Sequence, residues 1–300
     1  MQSTNKILMV RPSNFGFNSQ TSANNAFQKE GFAEMANEKA TAEFDNFTAM
    51  LKDADVEVMV INDTPEPHTP DSVFPNNWFS THEGGTLVLY PMFAPNRRLE
   101  RKEGVINFLK SNFKFKRVVD LTDFEKKEKF LEGTGSMILD RDNCIAFACR
   151  SQRTDEEVLE QFCDELEYDY LIFDACESSG KPIYHTNVMM CVGSAIAIVC
   201  LDAVDDINQR EDLIGLIEES DKTIIEISLE QMEEFAGNML EVRGKEGQPL
   251  LVMSARAKRA LTNEQVSKLE KYCKIIAPEL ETIENNGGGS ARCMMAEIFV

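Results

Sequence analysis

The stretch Gly135-Ser136-Met137-Ile138-Leu139-Asp140-Arg141-Asp142-Asn143-Cys144-Ile145-Ala146-Phe147-Ala148-Cys149 decides the fold. Two apolar runs flank a turn of Asp, Arg, Asp and Asn, which is a β-hairpin signal. The pattern recurs along the chain. Residues 77–80 turn at Glu83-Gly84-Gly85 into 86–90, residues 187–191 turn at Val192-Gly193-Ser194 into 195–201, and residues 238–242 turn through 244–247 into 250–253. A fifth copy, residues 293–300, lacks its second strand.

The residues that open the first strand of each copy are Asn77, Glu132, His185, Asn238 and Cys293, spaced by 55, 53, 53 and 55 residues. Between hairpins comes a helical pattern and one more short strand, as in 97–112 before 115–119 and 154–166 before 170–173. The unit is ββαβ, repeated about five times at a period of about 54 residues. Ile7-Leu8-Met9-Val10 can supply the missing strand. Pairing the two chain ends closes a ring and leaves no orphan edge. The expectation is one α/β domain over residues 1–300, built as a closed five-unit propeller.

Composition narrows the function. The 300 residues are 43% hydrophobic, enough for a sizeable core, and the net charge is −20. A phosphate backbone would be repelled, so no nucleic-acid partner is expected. The acidic runs 155–157 and 218–219 read as solvated helix faces. Eight cysteines contain no CxxC pair, and three histidines give a zinc site little to draw on. Cys144, Cys191 and Cys200 lie in apolar strand-like runs and read as small hydrophobes. A reduced cytoplasm is expected rather than a disulfide framework. The first residues run straight into a strand with no signal-peptide core, and no stretch has the apolar length of a membrane span. Nothing excludes a homo-oligomer.

A ring changes the standing of the isolated residues. Equivalent positions point to one axis, so Glu132, His185 and Cys293 should converge despite their separation in sequence. A nucleophile, a base and an orienting carboxylate are what thiol catalysis requires. Gly287-Gly288-Gly289 before Cys293 lets backbone approach a ligand, and Arg292 puts a positive charge beside the sulfur. His68 and His82 fall in Pro-rich and turn segments and are expected to be solvated. Residues 14–25, rich in Asn, Ser and Thr, read as a substrate lid or a plain loop.

These residues resemble the guanidino-group modifying superfamily of arginine deiminases, dimethylarginine dimethylaminohydrolases and amidinotransferases. The motifs are Pro70-Asp71-Ser72-Val73-Phe74-Pro75-Asn76-Asn77-Trp78, Asn96-Arg97-Arg98-Leu99-Glu100, Leu131-Glu132-Gly133-Thr134-Gly135, Ser151-Gln152-Arg153-Thr154, Tyr184-His185-Thr186-Asn187 and Gly288-Gly289-Ser290-Ala291-Arg292-Cys293-Met294. The resemblance spans essentially the whole chain and implies a five-bladed α/β propeller (pentein). It implies Cys293 as nucleophile, His185 as general acid and base, and Glu132 as the carboxylate holding the histidine. It places Asp71 at the substrate edge, and Arg97 or Arg98 together with Arg153 on the α-carboxylate of a small amino-acid substrate. It implies a covalent adduct on sulfur and no metal or organic cofactor.

The departure is Asn76-Asn77, where dimethylaminohydrolases carry a Glu-Asp pair facing the guanidinium. A buried cation without its counter-charge costs roughly 3–5 kcal/mol. An amide both donates and accepts hydrogen bonds and so suits a ureido group. Citrulline is therefore the expected substrate, and the chain most resembles citrulline utilisation hydrolases. Arginine deiminase, dimethylaminohydrolase or amidinotransferase chemistry is the alternative. A catalytically silent propeller acting as a binding protein is a further competitor. A papain-like hydrolase would reverse the order of cysteine and histidine.

Overall fold

The structure, a computed structural model, describes residues 1–22, 25, 27, 28 and 35–299. Fifteen strands form five three-stranded sheets among the described residues. The first sheet comprises β3 (Phe79–His82), β4 (Thr86–Leu89) and β5 (Arg117–Asp120). The second comprises β6 (Met137–Asp140), β7 (Ile145–Cys149) and β8 (Asp169–Phe173), and the third β9 (Met190–Val192), β10 (Ile196–Val199) and β11 (Thr223–Glu226). The fourth comprises β12 (Leu240–Arg243), β13 (Pro249–Val252) and β14 (Lys274–Ile276). The fifth joins the chain ends: β15 (Ala296–Glu297), β1 (Lys6–Arg11) and β2 (Glu57–Asn62).

Every sheet repeats one rule. The first and second strands pair antiparallel, and the second and third pair parallel. A parallel pair needs a crossover, and a helix supplies it. The helices are Glu103–Asn112, Glu156–Leu166, Ile207–Glu219, the pair Ala255–Ala260 and Asn263–Leu269, and Ala36–Asp53. Asp155 and Asp206 start two of them by accepting backbone N–H groups of the first turn. The expected ββαβ unit is thus present five times. Ile7 faces Glu297 and Leu8 faces Ala296, as the missing-strand argument requires.

Burial rises towards one side of each sheet. The first strands are buried almost throughout, whereas the third strands β2, β5 and β8 carry exposed or half-buried residues. The middle strands are buried on both faces, and period-two alternation sends their side chains to two different neighbours. In β1, Ile7 and Met9 pack with Leu240, Val242 and Leu250 of the fourth sheet, while Leu8 and Val10 pack with Leu87 and Leu89 of the first. In β7, Ala146 and Ala148 join Val88 and Tyr90, while Ile145 and Phe147 join Ile196 and Ile198. That is why these strands read as continuous apolar runs.

Three expectations need correction. The strands start at Phe79, Met137, Met190, Leu240 and Ala296, later than the five evenly spaced residues. A short helical turn or bend precedes each of these strands. Cys144 is exposed in the β6–β7 turn at φ 54°, rather than inside a strand. His82 is buried, with Nε2 2.8 Å from Ser80 Oγ and Nδ1 3.3 Å from Arg141 Nη1, since the inner strand β3 has no solvated face. No helix among the described residues is long and apolar enough to cross a membrane.

Leu8 is fully buried between the chain-end sheet and the first sheet. Leu8→Ala is expected to cost about 2–5 kcal/mol in urea unfolding, as for other buried leucines. A loss below about 1 kcal/mol would show that this junction is not part of the cooperative core.

Candidate active site

The five spaced residues sit just ahead of the inner strands, at the ends that face one another. Asn77 closes the turn Pro75–Asn77, Glu132 precedes Gly133–Ser136, His185 precedes Thr186–Val188, and Cys293 lies in Ala291–Met294. Asn77, His185 and Cys293 line one small cavity of about 20 Å³ with Asp71, Phe74, Arg97, Arg153, Tyr184 and Gly287, Gly288 and Gly289.

Glu132 is fully buried. Its Oε2 lies 2.7 Å from His185 Nε2 and 3.4 Å from Arg153 Nη1, and its Oε1 accepts the Phe93 N–H at 3.0 Å. Burial pushes this carboxyl up, but Arg153, the His185 bond and Arg97 outweigh it and hold it well below the carboxylate range. An ionised carboxylate only accepts, so His185 Nε2 carries the proton and Nδ1 is the basic atom of the neutral ring. Burial draws the imidazole down to about 4 against the opposing pull of Glu132, with Arg153 and Arg97 adding to the fall. His185 is therefore neutral at pH 7. A methyl group at Gly135 would lie 2.8 Å from His185 Nδ1 and 2.5 Å from Asn77 Nδ2, so glycine lets both atoms face the same space.

The sulfur lies among amides. Asn238 Nδ2 donates to Cys293 Sγ at 3.3 Å and Asn187 Nδ2 at 3.4 Å. Gly287 and Gly289 pack on the Phe74 ring, where a Cβ would come within 2.8–2.9 Å. The glycine run thus fits the Cys293 loop against protein as well as towards the cavity. Arg292, expected to set a positive charge beside the sulfur, interacts electrostatically with Cys293 while its guanidinium donates to Met295 O at 2.9 Å and Glu297 Oε2 at 3.0 Å.

The arginines divide. Arg97 is buried and spends its guanidinium on both Glu100 oxygens at 2.8 and 3.0 Å, on Asn77 Oδ1 at 2.8 Å and on Phe74 O at 3.3 Å. Arg98 is absent from the cavity lining; it bonds Met92 O and Phe93 O and lies over the Phe130 ring. Of the two, only Arg97 lines the cavity, with its guanidinium anchored on internal acceptors. Arg153 lines the cavity, lies over the Tyr184 ring and donates to Thr21 O at 3.2 Å.

Asn76 turns into the protein, its Nδ2 on Thr134 Oγ1 at 3.2 Å, and is absent from the lining. Asn77 differs. Arg97 only donates, so it fixes the amide with Oδ1 inward, and buried Asn77 Nδ2 has no partner among the described residues. Asp71 Oδ1 and Asn187 Oδ1 are in the same condition. Burial pushes the Asp71 carboxyl up, against Arg97 and the bond from Asn18.

Part of the 14–25 stretch covers the cavity. Asn18 Nδ2 donates to Asp71 Oδ2 at 2.7 Å, Asn25 Nδ2 to Gly288 O at 3.4 Å, and, just beyond, Gln28 Nε2 to Gly287 O at 2.9 Å. Residues 23 and 24 lie outside the described residues.

Comparison with known proteins bears on the family and the fold. Residues 11–300 match the family model for eukaryotic N,N dimethylarginine dimethylhydrolase. The chain belongs to this family. No curated protein sequence matches it. The substrate-bound N-terminal domain of ArgZ, an arginine dihydrolase of the cyanobacterial ornithine-ammonia cycle, superposes at TM-score 0.77 and 17% identity, covering 98% of both chains. Unliganded AgrE superposes at TM-score 0.76 and 18% identity, over 97% of this chain and 39% of that one. A dimethylarginine dimethylaminohydrolase carrying a 4-chloro-2-hydroxymethylpyridine adduct superposes at 0.68 and 17%, over 99% and 100%. These likenesses show the fold that this family member shares.

Sequence reasoning gave Asn187 and Asn238 no role. The signal was present for Asn238, which occupies one of the five spaced positions, and Asn187 stands two residues after His185.

Glu132 raises the His185 affinity for protons, so Glu132→Gln should move the His185 midpoint further below about 4. Imidazole ¹⁵N shifts measured against pH check this. An upward shift would show that the carboxylate does not stabilise the imidazolium.

Proposed function

We propose that this protein is a hydrolase that cleaves a carbon–nitrogen bond at the ureido or guanidino carbon of an arginine-related amino acid, with citrulline as the preferred substrate. We read the five sheets as blades of one closed α/β propeller with its centre at this cavity. The observation that carries the substrate reading is Asn77. Its acceptor oxygen is occupied by Arg97, so it offers the cavity a donor. A ureido oxygen accepts from such a donor, whereas a guanidinium only donates.

The chemistry follows from the atoms that face the cavity. Cys293, as thiolate after passing its proton to His185 Nδ1, attacks the ureido carbon, whose oxygen accepts from Asn77 Nδ2. The bond to the side-chain nitrogen breaks, and that nitrogen leaves as the amine of ornithine with the proton from His185. An S-carbamoyl cysteine remains. His185 Nδ1 then removes a proton from water, which displaces the sulfur, and the carbamate splits into carbon dioxide and ammonia. Citrulline and one water thus give ornithine, carbon dioxide and ammonia. Glu132 holds the imidazole tautomer and stabilises the imidazolium that forms twice. The cavity holds roughly one water, so substrate must displace the strap formed by Asn18, Thr21, Asn25 and Gln28.

A second reading takes arginine as substrate, releasing ammonia and citrulline through an S-amidino adduct. It is favoured by the unpartnered Asp71 Oδ1, a buried acceptor suited to a cationic donor.

The deciding assay incubates purified protein with citrulline, arginine and methylated arginines and quantifies ornithine, ammonia and citrulline. Ornithine from citrulline is the expected product, and turnover of arginine alone would overturn the asparagine argument. Asn77→Asp should lower kcat/KM for citrulline about 10–100-fold by removing the donor. Cys293→Ser should lower turnover by at least about 10³-fold, and full activity in that variant would overturn the mechanism.

A further inference from the structure

The side chains that hydrogen-bond the sulfur are neutral. Asn187 and Asn238 are buried, and each directs an Nδ2 at Cys293 Sγ, at 3.4 and 3.3 Å. The orientation of Asn238 is fixed from its other side. The Arg292 backbone N–H donates to Asn238 Oδ1 at 3.1 Å, and Asn238 Nδ2 also reaches Asn187 O at 3.1 Å. A flipped amide would set donor against donor at Arg292. Asn187 Nδ2 also lies 3.4 Å from Thr134 O, which holds its donor end inward. The thiol itself finds only a distant acceptor, Asn238 Oδ1 at 3.8 Å.

Charged and titratable groups surround this contact without replacing it. His185, Asp71, Arg97, Arg153 and Tyr184 line the cavity. Arg292, next in the chain, is tied to Glu297. Arg97 and Arg153 are held on Glu100 and Glu132.

We propose that Asn187 and Asn238 form a two-amide cradle that holds the Cys293 thiolate and aims it at the substrate carbon. This rests on Cys293 being the nucleophile under the reading above. Two N–H donors favour the anionic sulfur over the thiol, because a hydrogen bond to an ionised group is stronger than one to its neutral form. Buried amides do this without adding a further cation to the two arginines that line the cavity. The cradle draws on the third and fourth units, with the sulfur on the fifth, so it exists only when the three inner ends meet.

The test reads sulfur reactivity without substrate. Iodoacetamide alkylation of Cys293 is followed by peptide mass from pH 6 to 10 in wild type, Asn187→Ala, Asn238→Ala and the isosteric Asn187→Asp and Asn238→Asp. Each Ala variant should alkylate about tenfold more slowly at pH 7, with the high-pH plateau unchanged. The Asp variants, with a carboxylate beside the sulfur, should be slower still. Melting temperatures within about 5 °C of wild type identify the folded variants, and the Asp pair serves if an Ala variant does not fold. Wild-type alkylation at pH 7 in a folded variant would overturn the proposal. So would an equal loss at the plateau, which marks altered access rather than a lost thiolate. A protein that shows the expected profile but hydrolyses none of the candidate substrates keeps the cradle and loses the substrate reading. Turnover of citrulline with an unmoved profile does the reverse.

Discussion

The buried Glu132 carboxylate is the constraint on which the centre of the molecule depends. A lone charge at that depth would cost several kcal/mol or lose its ionisation. Here it is surrounded by Arg153, Arg97, His185 and a backbone N–H. Each partner is held by something further out: Arg97 by Glu100 and Asn77, Arg153 by Thr21 O and the Tyr184 ring. The cluster contains three acids, Asp71, Glu100 and Glu132, and two arginines. Burial pushes Glu100 up to about 7 against the pull of Arg97, and it raises Asp71 as well. Burial thus favours the protonated form of the surplus acid.

The repeat was legible because each unit solves the same packing problem. An inner strand and a middle strand with two buried faces leave long apolar runs, and a crossover helix forces the spacing between them. The period alone gives Glu132, His185 and Cys293 equivalent positions; in the structure Glu132 bonds His185, and His185 and Cys293 line one cavity. The strand starts were less legible. A helical turn such as Gly133–Ser136 and the strand after it both use small and apolar residues, so composition does not mark the change. His82 was misread for a related reason. Its Gly-Gly neighbours announce a turn, but the polar partners that make burial acceptable, Ser80 and Arg141, come from the strand itself and from another unit.

Side-chain direction was the part that sequence withheld. Asn76 and Asn77 are adjacent and chemically identical, yet one bonds Thr134 and the other presents its amide to the cavity. Arg97 and Arg98 separate in the same way. In both pairs the choice is made by a partner elsewhere: Thr134 for Asn76, Arg97 for Asn77, Glu100 for Arg97. Only the last partner is local, three residues on, and it stood within the motif. The amides around the sulfur follow the same logic, since Asn187 and Asn238 reach it from units other than its own.

The pairing of β1 with β15 also has a bearing on when the protein becomes active. Ile7 and Leu8 are made well before Glu297 and Ala296, the residues with which they pair. Until then β1 has β2 as its sole ladder neighbour, and the segment bearing Cys293 has not emerged. Contacts between such distant segments form late and slowly. Cys293 therefore joins His185 and Glu132 only after both of their units have been made.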